Sequence, residues 1–211
     1  MRERSPAASD MLIAIIGAGN VGSTLGRRFG EAGHAVVYGV RSPTDPKHAG
    51  LPVETISGAA AAADVVILTT SWAGAHDALV AAGDLAGKVL VDATNPIGPG
   101  MVLTHGTNDS GAEQVARWAP GARVVKAFNS IGREVMANPR FGDARAVLVL
   151  CGDDADACDT VARLAADIGF DPLRIGPLTR ARFIEPAALV WITAAPVLGT
   201  REFAWGLLRR S

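Results

Sequence analysis

The sequence is poor in residue types that several classes of function need. Aromatic residues make up 5% of the 211 residues, and the formal net charge is −1. A nucleic-acid surface needs clustered cations and aromatic stacking platforms. This composition therefore argues against a nucleic-acid partner and favours a small molecule. The four histidines are scattered without HxH or HExxH spacing, so no metal site is expected.

Cysteines and long apolar runs are also scarce. Cys151 and Cys158 lack CxxC spacing, which favours buried thiols in a reducing compartment. No uninterrupted apolar run reaches the roughly 18 residues of a membrane-spanning helix. Residues 1–10 contain no apolar core of the kind that a signal peptide needs, and we expect them to form a disordered lead. We therefore expect a cytoplasmic protein with no membrane partner.

Short apolar runs alternate with helical patterns along most of the chain. The predicted strands are residues 12–16, 35–38, 65–68, 88–91, 123–126 and 146–150. The predicted helices lie near residues 21–32, 54–62, 73–82, 110–118 and 154–167. This alternation predicts an α/β fold over residues 11–176, a Rossmann-like doubly wound and mostly parallel sheet. Residues 177–211 are predicted to form a small C-terminal helical element, in two pieces hinged around residues 196–199.

A glycine-rich segment, IIGAGNVGSTLG, follows the first predicted strand. Gly17 allows a tight strand-to-helix turn, Gly19 lets backbone amides approach a pyrophosphate, and Gly22 lets the helix pack closely on the sheet. A plain tight turn is the alternative. Because strand, motif, helix and second strand come in the required order, the segment predicts dinucleotide binding.

The end of the second predicted strand indicates which dinucleotide is bound. NAD-binding folds usually carry an acid there, about 20 residues past the motif, for the ribose 2′-hydroxyl. The chain instead reads VYGVRSPTDPK, with no acid at the strand end. Arg41 can pair with a 2′-phosphate and Ser42 can donate to it. NADP(H) is therefore the predicted cofactor, and a solvated surface arginine is the alternative.

Polar residues follow three further strands. Thr70, Ser71 and Trp72 follow the third strand, and a second group, Asn95, Pro96 and Ile97, follows the fourth. Ligands of open parallel sheets bind beyond the carboxyl ends of the strands, so both groups should line the cofactor cleft. Lys126 and Asn129, at the end of the fifth strand, are predicted to position a substrate. For Lys126, pairing with a neighbouring carboxylate is an equal alternative.

The glycine-rich segment, the residues that follow the later strands and the tail GPLTRARFIEP come in one characteristic order. In that order they resemble the family of F420-dependent NADP reductases, and the resemblance covers nearly all of residues 11–211. The resemblance implies a homodimer that transfers hydride between NADP and the deazaflavin coenzyme F420. Such transfer needs positioning rather than a dedicated acid or base. Two alternatives stay open: an NADPH-dependent reductase of a flavin, imine or carbonyl compound, and a non-catalytic NADP sensor.

The resemblance also implies where each part of the cofactors binds. It places phosphate contacts on Ala18, Gly19, Asn20 and Val21, and 2′-phosphate contacts on Arg41 and its neighbours. The nicotinamide falls near Thr70, Trp72 and Ile97. The two cofactors would meet near residues 129–133, and residues 199–202 would complete the deazaflavin pocket.

Overall fold

The computed structural model describes residues 10–208 and 210. Residues 1–9, which hold nearly all of the predicted disordered lead, lie outside the described residues. The strands are β1 Leu12–Ile16, β2 Ala35–Val40, β3 Val53–Thr55, β4 Val65–Leu68, β5 Val89–Asp92, β6 Ile97–Gly98, β7 Val102–Leu103, β8 Arg123–Lys126, β9 Arg140–Phe141, β10 Ala144–Arg145, β11 Val147–Gly152 and β12 Asp171–Arg174. The helices are α1 Asn20–Glu31, α2 Ile56–Ala62, α3 Trp72–Ala82, α4 Gly111–Trp118, α5 Arg133–Ala137, α6 Ala155–Asp167 and α7 Ala181–Leu198.

Eight of the strands form one sheet, in the order β12-β11-β8-β5-β4-β1-β2-β3. All neighbouring pairs in this sheet are parallel except β11 and β8, which are antiparallel. The remaining strands form two short hairpins, β6–β7 and β9–β10. The prediction of a Rossmann-like, mostly parallel α/β fold is confirmed.

Side chains of each central strand alternate between two buried layers. Ile13 and Ile15 belong to the layer that α1, α5 and α6 cover. Ala14 and Ile16 belong to the layer that α2, α3, α4 and α7 cover. Because both faces are covered, the strands are continuous apolar runs, which is the pattern that the sequence showed.

The sequence did not predict β3. Val53–Thr55 has three residues, and two of them are exposed, so no apolar run marks it. The structure also extends β2 to Val40, which brings Arg41 directly to the end of the strand.

The tail differs from its predicted form. Instead of two helical pieces hinged around residues 196–199, one helix, α7, includes both Pro186 and Pro196 and ends at Gly199, whose φ is +67°. Residues 200–208 then run without regular structure. A proline inside a helix costs one hydrogen bond and crowds the preceding turn. Packing of α7 against the sheet keeps it continuous, since tertiary contacts supply most helix stability in proteins.

Candidate functional site

Glycines shape the loop between β1 and α1. Gly17 has a φ of +106°, which residues with side chains rarely adopt. A Cβ on Gly22 would overlap the carbonyl oxygen of Gly17, so α1 packs directly against the loop. A Cβ on Gly19, by contrast, would meet no heavy atom within 4 Å. The space beside Gly19 is therefore open to a bound group.

The N-terminus of α1 faces this open space. Gly19 is the N-cap residue and makes no side-chain cap, and the first turn carries no acidic residue. The first amides of a helix have no partner within it, and together with the helix dipole they favour an anion. This geometry fits the predicted phosphate contacts at Gly19, Asn20 and Val21, which stay predictions.

Hydroxyl groups at the end of β4 serve two different purposes. Thr69 Oγ1 lies 3.0 Å from the carbonyl oxygens of both Ile16 and Gly17 and holds the loop in place. Thr70 Oγ1 is buried and has no hydrogen-bond partner among the described residues. Buried polar atoms are rarely left unpaired, so Thr70 Oγ1 is a ready contact for a ligand.

Asn95 and Asn129 bind each other across the ends of β5 and β8. Asn95 Nδ2 donates to the Asn129 carbonyl oxygen at 2.8 Å, and Asn129 Nδ2 donates to Asn95 Oδ1 at 2.9 Å. Asn129 Oδ1 is buried without a partner in the described part of the chain. The pair therefore presents a fixed acceptor atom at the carboxyl edge of the sheet.

A cavity of about 470 Å³ opens beside this pair. It lies between the phosphate loop, the ends of the central strands, α5 and α7. The lining residues are Asn20, Val21, Ala93, Asn95, Phe128, Asn129, Ile131, Gly132, Arg133, Glu134, Met136, Trp191, Ile192 and Arg201. The open cradle at Gly19 and the two orphaned oxygens fit a pyridine dinucleotide, with its phosphates at the loop and its reactive ring toward the cavity.

Comparison with known proteins agrees with this geometry. Residues 12–96 match the family model of coenzyme F420-dependent NADP oxidoreductases. A candidate F420-dependent NADP reductase from Arthrobacter sp. FB24 is 33% identical, with a TM-score of 0.86 over 94% of this chain and 100% of that chain. The chain belongs to this family. A hypothetical protein from Sinorhizobium meliloti is 32% identical, with a TM-score of 0.74 over 96% of this chain and 97% of that chain. The protein is accordingly an NADP-dependent oxidoreductase with a Rossmann-like fold.

The curated relatives are longer proteins. Metalloreductase STEAP3 of Rattus norvegicus is 36% identical over 181 residues, which are 84% of this chain and 36% of the relative. The chain thus spans little more than a third of that relative. A reductive aminase from Aspergillus terreus in complex with NADPH4, cyclohexanone and allyl amine shares the fold. It is 21% identical, with a TM-score of 0.63 over 88% of this chain and 61% of that chain.

Arg41 lies directly after β2, exposed to solvent, with Ser42 beside it. None of the ion pairs found among residues 10–208 involves Arg41. Lys47, by contrast, pairs with Asp45 at 2.7 Å, and the hydrogen bond from Lys47 lowers the pKa of Asp45. Arg41 is therefore the cation best placed to meet a 2′-phosphate at this strand end.

We expect Arg41→Ala to weaken NADPH binding by roughly 1.5–3 kcal/mol, the range for a charge-assisted contact, and to leave NADH binding nearly unchanged. The unmodified protein should bind NADPH at least about tenfold more tightly than NADH. Fluorescence titration with each nucleotide measures both ratios. Arg163→Ala, which removes an exposed arginine of α6, is the matched control. Equal affinities for the two nucleotides in the unmodified protein would contradict the role of Arg41.

Two other predicted contacts, Trp72 and Ile97, are not among the residues that line the cavity. Trp72 begins α3, directly after Ser71, with its ring centroid 5.2 Å from that of Trp118 and 5.4 Å from that of His105. Ile97 opens the β6–β7 hairpin, and the preceding carbonyl of Pro96 accepts hydrogen bonds from Thr104. Their roles in cofactor binding stay predictions.

Of the two alternatives for Lys126, the structure shows the pairing with carboxylates. Its side chain is completely buried, and Nζ lies 2.9 Å from Asp92 Oδ2, 3.0 Å from Glu185 Oε1 and 2.6 Å from the carbonyl oxygen of Thr94. Burial alone would lower the pKa of Lys126, but the charges of Asp92 and Glu185 outweigh it and raise the pKa. Lys126 is thus a protonated structural group, without access to a substrate.

Sequence reasoning did not name Glu134 or Met136, which line the cavity. Asn129 was placed there by its position after the fifth strand, whereas residues 130–133 and 199–202 were placed near the pocket by the resemblance. Gly132 offered one local signal, since a Cβ there would overlap the ring of Trp191. A glycine ahead of a short helix can mark a close approach of another segment, but it does not say which segment approaches.

The helical stretch Leu178–Leu198 is long and apolar enough to cross a membrane by length and composition, with a mean hydropathy of 1.3. In this fold 33% of that window is buried. Its apolar character therefore exceeds what its contacts within the chain use. A cytoplasmic location stays a prediction from the sequence.

Proposed function

We propose that the protein transfers hydride between NADP(H) and coenzyme F420. The observation that best supports this proposal is the cavity, which has the phosphate loop on one side and α7 on the other. When both cofactors are bound, NADPH would supply the hydride and oxidised F420 would accept it together with a proton from solvent. A nicotinamide ring anchored by its phosphates at Gly19 would reach this cavity, where Asn95 and Asn129 offer polar atoms for its carboxamide.

In this proposal the side chains around the cavity position the two reactants and exclude water from the cavity, and they supply no acid or base. Phe128, Ile131 and Trp191 give the cavity apolar walls, and each is at least nine-tenths buried. Hydride transfer requires two carbons held a few ångströms apart with water excluded. This set of side chains suits a planar acceptor stacked on the nicotinamide.

The decisive experiment follows the visible absorbance of oxidised F420 with NADPH and purified protein. We expect the absorbance to fall only when all three are present, and F420 turnover to exceed turnover with FMN, FAD or a cyclic imine. Turnover with one of those compounds and none with F420 would show that this compound, and not F420, is the hydride acceptor. Tight NADPH binding without turnover of any acceptor would indicate a sensor.

We also propose that the protein is a homodimer paired through α7. One side of the helix, including Ile184, Ala188, Trp191 and Ala195, is buried in the fold. The opposite side exposes Phe183 (61%), Val190 (54%) and Val197 (85%), spaced seven residues apart. Seven-residue spacing lines apolar side chains along one stripe of a helix, as paired helices require. Such a stripe favours a second copy of the same helix, because symmetric self-contact covers it on both chains.

Val190→Glu should convert the dimer to a monomer, because it places a carboxylate at the centre of the stripe. Light scattering gives the mass before and after the change. The matched control is Val80→Glu, which alters an exposed valine (67%) on α3 and should leave the mass unchanged. An unmodified protein that is monomeric at micromolar concentration, or a variant that remains dimeric, would overturn the proposal.

A further inference from the structure

Two arginines share one carboxylate at the cavity. Glu134 Oε1 accepts from Arg201 Nε at 3.2 Å and from Arg133 Nε at 3.3 Å. The side chains of Arg133 and Arg201 are 54% and 53% exposed, whereas that of Glu134 is 22% exposed. All three residues line the cavity. The carboxylate therefore lies beneath two guanidinium groups that face solvent.

The ionisation of Glu134 follows from its surroundings. Burial acts to raise its pKa, but its own backbone amide, Arg201 and Arg133 together lower the pKa overall. The carboxylate is thus charged at neutral pH. Two positive groups around one negative group leave a local excess of one positive charge at the cavity.

Arg201 is held in place by aromatic side chains. Its guanidinium carbon lies 4.9 Å from the ring centroid of Trp191, which stacks on Phe203 at 4.9 Å and 14°. Trp191 Nε1 donates to the Phe203 carbonyl oxygen at 2.9 Å, and the Trp191 ring is 3% exposed. A guanidinium that is already oriented loses less freedom when it binds a ligand. Arg201 is consequently a preorganised cation rather than a mobile surface arginine.

Both guanidinium groups contact Glu134 through Nε, and their terminal Nη groups make no hydrogen bond within the described part of the chain. A phosphate has several oxygens and matches the planar fork of arginine in geometry and charge. The α1 N-terminus and Arg41 already account for the phosphates expected of NADP. The excess positive charge at the cavity has no such partner among residues 10–208.

We propose that Arg133 and Arg201 bind a phosphate on the side chain of the hydride acceptor, and thereby select phosphate-bearing ring acceptors over neutral ones. This inference rests on the proposed function, because it assumes that the acceptor occupies the cavity. Glu134 sets the orientation of the two guanidinium groups before the acceptor binds.

FMN and riboflavin test the inference because they share one ring system and differ in the phosphate. Quenching of flavin fluorescence, with NADP⁺ present, measures the binding of each. The unmodified protein should bind FMN at least about tenfold more tightly than riboflavin, the effect of one charge-assisted contact. In the double variant Arg133→Met/Arg201→Met the ratio should fall to about one, with riboflavin binding unchanged. Arg163→Met, on α6, should keep the original ratio.

Three results would overturn the inference. The first is equal binding of FMN and riboflavin by the unmodified protein, or no binding of either. The second is an unchanged ratio in the double variant. The third is a parallel loss of NADPH affinity in that variant, which would assign the arginines to the nucleotide. Failure of the proposed function is separate, because F420 turnover is measured independently and the flavin ratio needs no turnover.

Discussion

Gly19→Val should abolish measurable NADPH binding, a loss of at least about a hundredfold, while leaving the fold intact. The backbone of Gly19 is extended, with φ −76° and ψ −171°, a conformation that valine adopts readily. A Cβ at this position meets no heavy atom of the chain within 4 Å. The branched side chain would instead occupy the space in which the pyrophosphate has to approach the α1 amides. Titration of the folded variant with NADPH measures the effect.

The matched control is Gly22→Ala, three residues further along the same motif. Its Cβ would overlap the backbone carbonyl oxygen of Gly17, which cannot move as a flexible side chain can. Overpacking of this kind costs about 1–3 kcal/mol of folding stability. The two variants should therefore differ in what they lose. Gly19→Val should keep a normal melting temperature but not bind NADPH, whereas Gly22→Ala should have a lowered melting temperature. Submicromolar NADPH binding by Gly19→Val would show that the loop does not bind the pyrophosphate.

Glu185→Ala should lower the free energy of unfolding by about 3–5 kcal/mol, because it removes one of the two carboxylates paired with the buried Lys126 and leaves two buried α4 amides without an acceptor. Glu185 is 1% exposed, and its Oε1 lies 3.0 Å from Lys126 Nζ. Its two oxygens also accept hydrogen bonds from the amides of Gly111 and Ala112, at 2.9 and 3.0 Å. One side chain of α7 thus stabilises both the end of β8 and the N-terminus of α4. Urea unfolding measures the loss.

Arg182→Ala provides a comparison between the same two helices. Arg182 of α7 pairs with Glu113 of α4 at 2.7 Å, but the two side chains are 29% and 14% exposed. Arg182 contacts both oxygens of Glu113, at 2.7 and 2.8 Å, but solvent still reaches the pair, so we expect its loss to cost about 1–2 kcal/mol, less than the loss of Glu185. If Arg182→Ala and Glu185→Ala lowered the free energy of unfolding equally, burial around Lys126 would not explain the contribution of Glu185 to stability. The same cluster makes a point substitution on α7 a cleaner probe of the dimer than removal of the tail, since removal would also take away Glu185.

The parts that sequence reasoning predicted well depend on neighbours in the chain. Gly17, Gly19 and Gly22 serve one turn and one helix, so their spacing alone carries the geometry. The place of Arg41 directly after β2 also follows from the local sequence, whereas its contact with a 2′-phosphate stays a prediction. Continuous apolar runs identified six strands of the main sheet because each is covered on both faces.

The parts that it missed depend on partners far apart in sequence. Lys126 could have met a substrate or a carboxylate, and the answer lies in Glu185, on a helix that no local pattern orients. Glu134 joins Arg201 across 67 residues, and neither residue type indicates a binding role by itself. Continuity of α7 through Pro196, where a hinge was predicted, likewise reflects packing rather than propensity. Non-local contacts of this kind emerge only when the chain has folded.

Glu185 lies on α7, which follows every strand of the main sheet in the chain, and this order affects folding during synthesis. Domains generally fold from their N-terminal parts as the chain emerges, but here the carboxylate that completes the centre of the sheet is made only after β8 and α4, which it stabilises. Until then Lys126 has Asp92 as its carboxylate partner, and the α4 amides at Gly111 and Ala112 lack the bonds that Glu185 supplies. The ribosome-bound chain should consequently stay sensitive to protease until α7 has left the exit tunnel, and become resistant in one late step.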